Sequence, residues 1–170
     1  MAATADLLAA IDPGQQPPQS VRETGVMPWR LATTRDALLA TLAEVTAQEA
    51  ASAGRLAVIV PDARVQELGE AISRAVHGAS FGDSPDLTSE IVILGARQAK
   101  GLEFDSVLIA DPAAILTASP RGQGDLYVAM TRSTMRLGVL HPGPPPAEIA
   151  ALRLRQPAGF TPWSAGAGHR

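Results

Sequence analysis

The segment QAKGLEFDSVLIAD, residues 98–111, decides the fold of this chain. It has the pattern of a tight, glycine-containing loop that carries one carboxylate and then runs into an apolar β-strand. A second dense stretch, LYVAMTR, follows at residues 126–132. We expect the rest of the chain to be the scaffold that holds these two segments.

Apolar runs on both sides of the first segment predict further buried strands. Together, the predicted strands cover residues 29–32, 56–60, 91–94, 106–110 and 137–140. Helical periodicity separates them, at residues 35–53, 62–76 and 125–134, with a short helix near 113–116. Strands that alternate with helices and are apolar throughout are typical of a parallel sheet covered on both faces. The sequence therefore predicts an α/β fold. Ligands bind such sheets at the C-terminal ends of the strands, where we expect the loop from Gly95 to Asp105 to lie.

The two ends of the chain differ from this pattern. Residues 4–11 predict a short helix that opens the chain without an earlier strand, which indicates a missing upstream part. Residues 142–170 are rich in Pro, Gly and Ala, and after one possible helical turn at 147–154 they predict a flexible tail. We therefore expect one domain at residues 1–141 and a tail at residues 142–170.

Composition excludes several classes of protein. Hydrophobic residues make up 46% of the 170 residues and aromatic residues only 4%, so the core must be aliphatic. The absence of Cys excludes disulfides and thiolate metal sites and fits a cytoplasmic location. Three scattered histidines do not predict a metal site. The net charge of −3 argues against a stand-alone nucleic-acid binder, and no apolar run has the ~20 residues of a membrane span.

Residue types in the first segment are compatible with ligand binding. Gly101 permits a turn or a close approach that a Cβ would block, and the carboxylate of Glu103 can accept hydrogen bonds from ribose hydroxyls. On residue types alone, a solvated loop between two strands is the simpler interpretation. Arg97 and Gln98 suit either nucleic-acid phosphates or ordinary loop polarity, and the sequence favours neither.

Arg132 ends the second segment. A guanidinium is always charged and binds phosphate oxygens in a forked geometry, so at a γ-phosphate it would stabilise the charge of phosphoryl transfer. For a lone arginine, a surface position is the simpler interpretation. The run from Val107 to Asp111 resembles an Mg²⁺-holding strand, but we favour a strand end with an Asp-Pro turn because the chain has no G-x-x-x-x-G-K-[ST].

Taken together, the two segments resemble the last motifs of UvrD/Rep-type superfamily 1 DNA helicases. Residues 99–109 resemble motif V and residues 126–132 resemble motif VI. Residues 20–25, SVRETG, and the short layout are most similar to the HelD-like branch. The resemblance covers roughly residues 1–141. It implies a RecA-like three-layer domain with a mainly parallel sheet, which is a P-loop NTPase-like fold without the P-loop.

In that family this region is the second, C-terminal RecA-like domain. The resemblance implies ATP with Mg²⁺ in a cleft shared with the N-terminal RecA-like domain of the same full-length protein, which would hold most of the Mg²⁺ ligands. It places Gly101 and Glu103 in the nucleotide site, with Glu103 toward the ribose, and makes Arg132 the catalytic arginine at the γ-phosphate. Arg97 and Gln98 would face single-stranded DNA. HelD-like relatives are also implied to bind RNA polymerase.

This sequence departs from the family at two points. Motif V often begins Thr-x-His, whereas Gly95 and Arg97 stand here. The arginine of motif IV normally precedes the first helix and would fall upstream of Met1; Arg22 and Arg35 are poor counterparts. We therefore expect this chain to be the motor domain of an ATP-dependent helicase or translocase. By itself, the domain should be inactive. The alternative is an RNA polymerase-binding module without strand separation. A Rossmann-like small-ligand domain ranks last because no G-x-G-x-x-G follows a predicted strand.

Overall fold

The computed structural model describes residues 27–52 and 54–156, which form seven strands and four α-helices. The strands are β1 (Trp29–Thr33), β2 (Leu56–Val60), β3 (Ala79–Ser80), β4 (Ile91–Gly95), β5 (Phe104–Ala110), β6 (Ser133–Pro142) and β7 (Arg153–Leu154). The helices are α1 (Leu38–Ala50), α2 (Val65–Ala75), α3 (Pro112–Thr117) and α4 (Gly122–Met130), with 3-10 turns at Asp62–Arg64 and Ala147–Ile149. The predicted helix at residues 4–11 and the segment at 20–25 lie outside the described residues.

The strands form one sheet in the order β3-β4-β2-β5-β6-β1-β7, and every pairing is parallel. All residues of β2 and β4 are buried because helices cover both faces of the sheet. The prediction of an α/β fold with a parallel sheet is confirmed.

Two apolar cores lie on the two faces of this sheet. Side chains alternate between them along each strand, so Val58 packs in the core under α1 and α2, and Ile59 packs in the core under α3 and α4. Leu42 fills the first core and Leu126 the second, each without solvent exposure. The domain therefore has three layers, with the functional segments at the ends of the sheet.

The end of α4 differs from its predicted position. The helix was expected to continue to about residue 134, but it ends at Met130 and β6 begins at Ser133. Thr131 N–H still donates to the Tyr127 carbonyl at 3.1 Å, after which pairing with β5 draws the chain into the sheet. Arg132 therefore lies in the turn between α4 and β6 and not on the helix itself.

Part of the predicted C-terminal tail is packed on the domain. Ile149 is fully buried and Leu152 is 7% exposed, and both join the core under α3 and α4. Arg153 and Leu154 then add β7 to the edge of the sheet beside β1. The structure thus includes residues 142–156 of the predicted tail in the fold, while residues 157–170 lie outside the described part.

Replacing Gly138 should test the packing of β6 against β1. Trp29 lies beside Gly138 in register, and a Cβ at Gly138 would collide with the Trp29 indole. We expect Gly138→Ala to lower the free energy of unfolding by about 1 to 3 kcal/mol, measured by urea denaturation followed by circular dichroism. Gly124→Ala is the matched control, because no atom lies within 4 Å of a Cβ there. Equal stability of the two variants would contradict this packing.

Candidate functional site

The functional segments lie at two opposite edges of the sheet. We call the edge where the parallel strands begin the amino edge, and the edge where they end the carboxyl edge. Arg97 and Gln98 follow β4 and lie at the carboxyl edge, as expected. Glu103 directly precedes β5 and Arg132 directly precedes β6, so both lie at the amino edge. The expected carboxyl-edge position is therefore wrong for the second half of the loop from Gly95 to Asp105.

Residues 96–103 cross from one edge to the other, because β4 and β5 are parallel. The crossing is made of successive turns closed by short-range hydrogen bonds, such as Gln98 N–H to the Gly95 carbonyl (3.0 Å) and Leu102 N–H to the Ala99 carbonyl (3.2 Å). Gly101 lies in the last of these turns with a φ of 77°, a left-handed conformation that residues with a Cβ rarely adopt. The space around Gly101 is open, so its role is set by the backbone.

Arg132 is held in place by three neutral oxygens. Its Nε donates to the Val128 carbonyl (3.1 Å), Nη1 to the Leu102 carbonyl (3.2 Å), and Nη2 to Thr131 Oγ1 (3.2 Å). Within residues 27–52 and 54–156, no carboxylate forms an ion pair with this half-buried guanidinium. Its positive charge is therefore held in position by neutral acceptors and has no ion-pair partner among the described residues.

Main-chain pairing brings Arg132 and Glu103 together. Phe104 N–H donates to the Arg132 carbonyl at 2.9 Å, which makes the first contact between β5 and β6. A bulge follows at once, because Ser106 pairs with Arg136 where Phe104 pairs with Ser133. Bulges often adjust side-chain directions next to functional sites.

Glu103 presents a free acid at the same edge of the sheet as Arg132. Its side chain is exposed and, in the part of the chain that the structure describes, makes no hydrogen bond or ion pair. Its backbone carbonyl accepts a hydrogen bond from Arg55 Nη2 at 2.8 Å. The amino edge thus offers guanidinium donors for an anion, on Arg132, and a carboxylate acceptor for hydroxyl groups, on Glu103.

Arg97 and Gln98 differ in how freely they could bind a ligand. Arg97 is 64% exposed in its side chain, and its Nε lies 3.4 Å from Asp62 Oδ2 in an exposed ion pair that can exchange. Gln98 uses both ends of its amide internally: Oε1 accepts from Gly95 N–H (2.8 Å) and Nε2 donates to the Gly82 carbonyl (2.9 Å). Gln98 therefore fixes two loops to each other, and Arg97 is the more available of the two.

Asp111 ends β5 as a structural residue. It is 1% exposed with a φ of 56°, and its Oδ1 accepts from Ala114 N–H (3.3 Å) at the start of α3. Its Oδ2 lies 3.2 Å from Arg35 Nη1. The interpretation as a strand end with an Asp-Pro turn agrees with this geometry.

Two residues of the amino edge were not predicted. Thr131 supplies its hydroxyl to Arg132, and Arg55 binds the backbone of Glu103. Arg55 immediately precedes β2, which lies beside β5 in the sheet. The sequence shows that an arginine precedes a buried strand, but the order of strands that makes it a neighbour of Glu103 is not visible there.

Among the comparisons with known proteins, only the search of solved structures found a match. No family model matches the sequence, and no curated protein matches it. Among solved structures, the C-terminal domain of a possible DNA helicase from Lactobacillus plantarum WCFS1 superimposes with a TM-score of 0.64, at 18% identity over 77% of this chain and 86% of that chain. The two share the fold, an α/β RecA-like arrangement. None of the helices in residues 27–52 and 54–156 is long and apolar enough to cross a membrane.

His141 lies at the carboxyl edge of β6, away from Arg132, and is 1% exposed. Arg30 Nη1 lies 3.2 Å from its Nε2 and the Gly143 carbonyl lies 2.9 Å from its Nδ1. Because a guanidinium only donates, Nε2 accepts and Nδ1 carries the proton. Burial lowers the pKa of this imidazole; the Gly143 carbonyl opposes the shift, and the charge of Arg30 adds to it.

The stability of the domain should therefore fall with acid in a histidine-dependent way. With a native pKa below the unfolded value of about 6.5, the unfolded chain takes up a proton that the native state does not. We expect the free energy of unfolding to decrease as pH falls below about 6.5, and His141→Gln to flatten this decrease between about pH 7.5 and 5.5. Urea denaturation at each pH measures it. The exposed His77→Gln is the control, and parallel curves for wild type and His141→Gln would contradict the assignment.

Proposed function

We propose that this chain is the C-terminal motor domain of an ATP-dependent DNA helicase or translocase. It would lend Arg132 and Glu103 to an ATP site completed by an N-terminal RecA-like domain. The observation that carries the proposal is the Arg132 guanidinium, which is oriented by three neutral oxygens and has no ion-pair partner among the described residues. One of these oxygens is the carbonyl of Leu102, the residue before Glu103. The fold shared with the C-terminal domain of a possible DNA helicase supports it.

The proposed roles follow from the chemistry of the two side chains. Arg132 would bind the γ-phosphate and stabilise the negative charge that develops in transfer, as arginine fingers do. Glu103 would accept hydrogen bonds from ribose hydroxyls, and Gly101 would shape the turn that leads to it. ATP supplies the phosphoryl group whose transfer to water drives movement. The residues present fit such a ligand, since they offer anion donors and hydroxyl acceptors at one edge.

The remaining parts of the site would come from the other RecA-like domain. The 170 residues contain no G-x-x-x-x-G-K-[ST] to cradle the phosphates. The described residues also contain no group of three or more His, Cys, Asp or Glu that could hold a metal, so Mg²⁺ is assigned mainly to the partner domain. We therefore expect the isolated chain not to hydrolyse ATP.

The narrower parts of the proposal rest on the motif resemblance. They are membership of the UvrD/Rep-type superfamily 1 group, the HelD-like branch with RNA polymerase as a partner, and a cytoplasmic location. Contact with single-stranded DNA is proposed for the carboxyl edge, where Arg97 is exposed and its ion pair with Asp62 can exchange for a phosphate. For Gln98 the proposal is weaker, because its amide is already used within the domain.

Substitution of Arg132 tests the proposal in the protein that joins this domain to its P-loop domain. We expect Arg132→Ala to lower kcat for ATP hydrolysis by roughly 10³-fold or more, because transition-state charge would lose its fixed cation. Arg132→Lys should remain strongly impaired, since an ammonium lacks the forked donors. Steady-state ATPase assays measure both effects, and circular dichroism checks the fold.

Arg153→Ala is the matched control. Arg153 is an exposed arginine on β7, the outermost strand beside β1, and we expect its removal to leave turnover unchanged. Near-normal kcat in a folded Arg132→Ala variant would overturn the proposal. It would favour the alternative, a module that docks on RNA polymerase without nucleotide chemistry.

A further inference from the structure

We propose that Arg55 is a positioning residue that sets the sugar selectivity of the nucleotide site by holding Glu103. The inference rests on the proposed function, because it assigns Arg55 a task only if Glu103 binds ribose. Arg55 is not part of either motif segment. It precedes β2 and reaches the amino edge because β2 pairs directly with β5.

The side chain of Arg55 joins two loops across this edge. Its Nη2 donates to the Glu103 carbonyl at 2.8 Å and its Nη1 to the Leu87 carbonyl at 3.3 Å. The guanidinium carbon also lies 5.0 Å from the centroid of the Phe104 ring, within the range of cation–π attraction. One side chain thus fixes the peptide after Glu103 and the ring that follows it.

The backbone of Arg55 strengthens the same attachment. Its N–H donates to Asp105 Oδ2 at 2.7 Å, and its carbonyl accepts from Ser106 N–H at 3.1 Å. Gly54, with a φ of 107°, makes this approach feasible, because a Cβ there would lie 2.7 Å from the Asp105 side chain. Arg55 is therefore bound to Glu103, before Phe104, and to Asp105 and Ser106, after it.

Glu103 lies between two arginines that bind consecutive carbonyls. Arg132 Nη1 binds the carbonyl of Leu102, and Arg55 Nη2 binds the carbonyl of Glu103 itself. Together they fix the peptide planes on both sides of the Glu103 Cα, and so the direction in which its carboxylate leaves the chain. Without Arg55, the second plane loses its side-chain donor while Arg132 stays in place. The two arginines thus have separable roles. Arg132 would stabilise the charge of the γ-phosphate, and Arg55 would orient Glu103 for the ribose.

Ribose discrimination gives the sharpest test, in the protein that joins this domain to its P-loop domain. The ratio of kcat/KM for ATP to that for 2′-deoxy-ATP and 3′-deoxy-ATP reports the hydroxyl contact. We expect the wild type to prefer ATP over one deoxy analogue by roughly 10-fold or more, as a charged hydrogen bond allows. Arg55→Ala should reduce this ratio to within about threefold, mainly through KM, because uniform binding is lost. Arg55→Lys should recover part of it.

A second readout needs no nucleotide. In the 170-residue chain, Arg55→Ala should speed amide hydrogen exchange of Phe104 and its neighbours by roughly 10-fold, because local opening becomes easier. Residues of β7, the outermost strand beside β1, should exchange at the wild-type rate. Arg55→Gln keeps an amide donor and is the variant to use if Arg55→Ala fails to fold.

The outcomes separate this inference from the proposed function. Loss of sugar discrimination in Glu103→Ala but not in Arg55→Ala would overturn the role of Arg55 and leave the nucleotide site standing. Unchanged amide exchange in Arg55→Ala would overturn it as well. Unchanged discrimination in Glu103→Ala, together with normal turnover in Arg132→Ala, would overturn both. Loss of discrimination in both Glu103→Ala and Arg55→Ala, without further loss when the two are combined, would establish the link.

Discussion

The parallel pairing of β5 with β6 places the two motif segments side by side. Its first contact is the hydrogen bond from Phe104 N–H to the Arg132 carbonyl, at 2.9 Å. Because both strands run in the same direction, the residues that precede them must meet at one edge. Arg132 then binds the Leu102 carbonyl across this junction. The neighbouring charge and acid at the amino edge depend on this pairing.

Much of this fold was predictable because a parallel sheet leaves a strong trace in the sequence. β2, β4 and β5 are covered on both faces and mainly apolar, and all five longer strands were located to within a few residues. The two-residue strands β3 and β7 are too short to show any periodicity. The end of α4 was missed since Thr131 and Arg132 suit a helix as well as a turn, and strand pairing decides between them. The burial of Ile149 was hidden by the prolines around it.

The sequence indicated candidate residues for the site but not where they lie in the fold. Glu103 and Arg132 were identified from the motif segments, and the structure brings them together. The expected edge was wrong for Glu103, although parallel strands already require the connection from β4 to β5 to cross the sheet. Such crossovers usually take about a dozen residues or more, so a short loop was not expected to make one. Arg55 depends on the spatial order of β2 and β5, which no local pattern encodes.

The shortness of the 96–103 crossover has a mechanical consequence. These residues descend past β2 through successive tight turns, with Ala96 and Ala99 buried against the core, so the connection has little slack. A displacement of the backbone at Arg97 must either break these turns or reappear at Glu103. Gly101 has open space around it and a left-handed backbone, so it is the position where the backbone can most easily change conformation. Movement of the backbone after β4 is thus passed on to Glu103 unless the chain bends at Gly101.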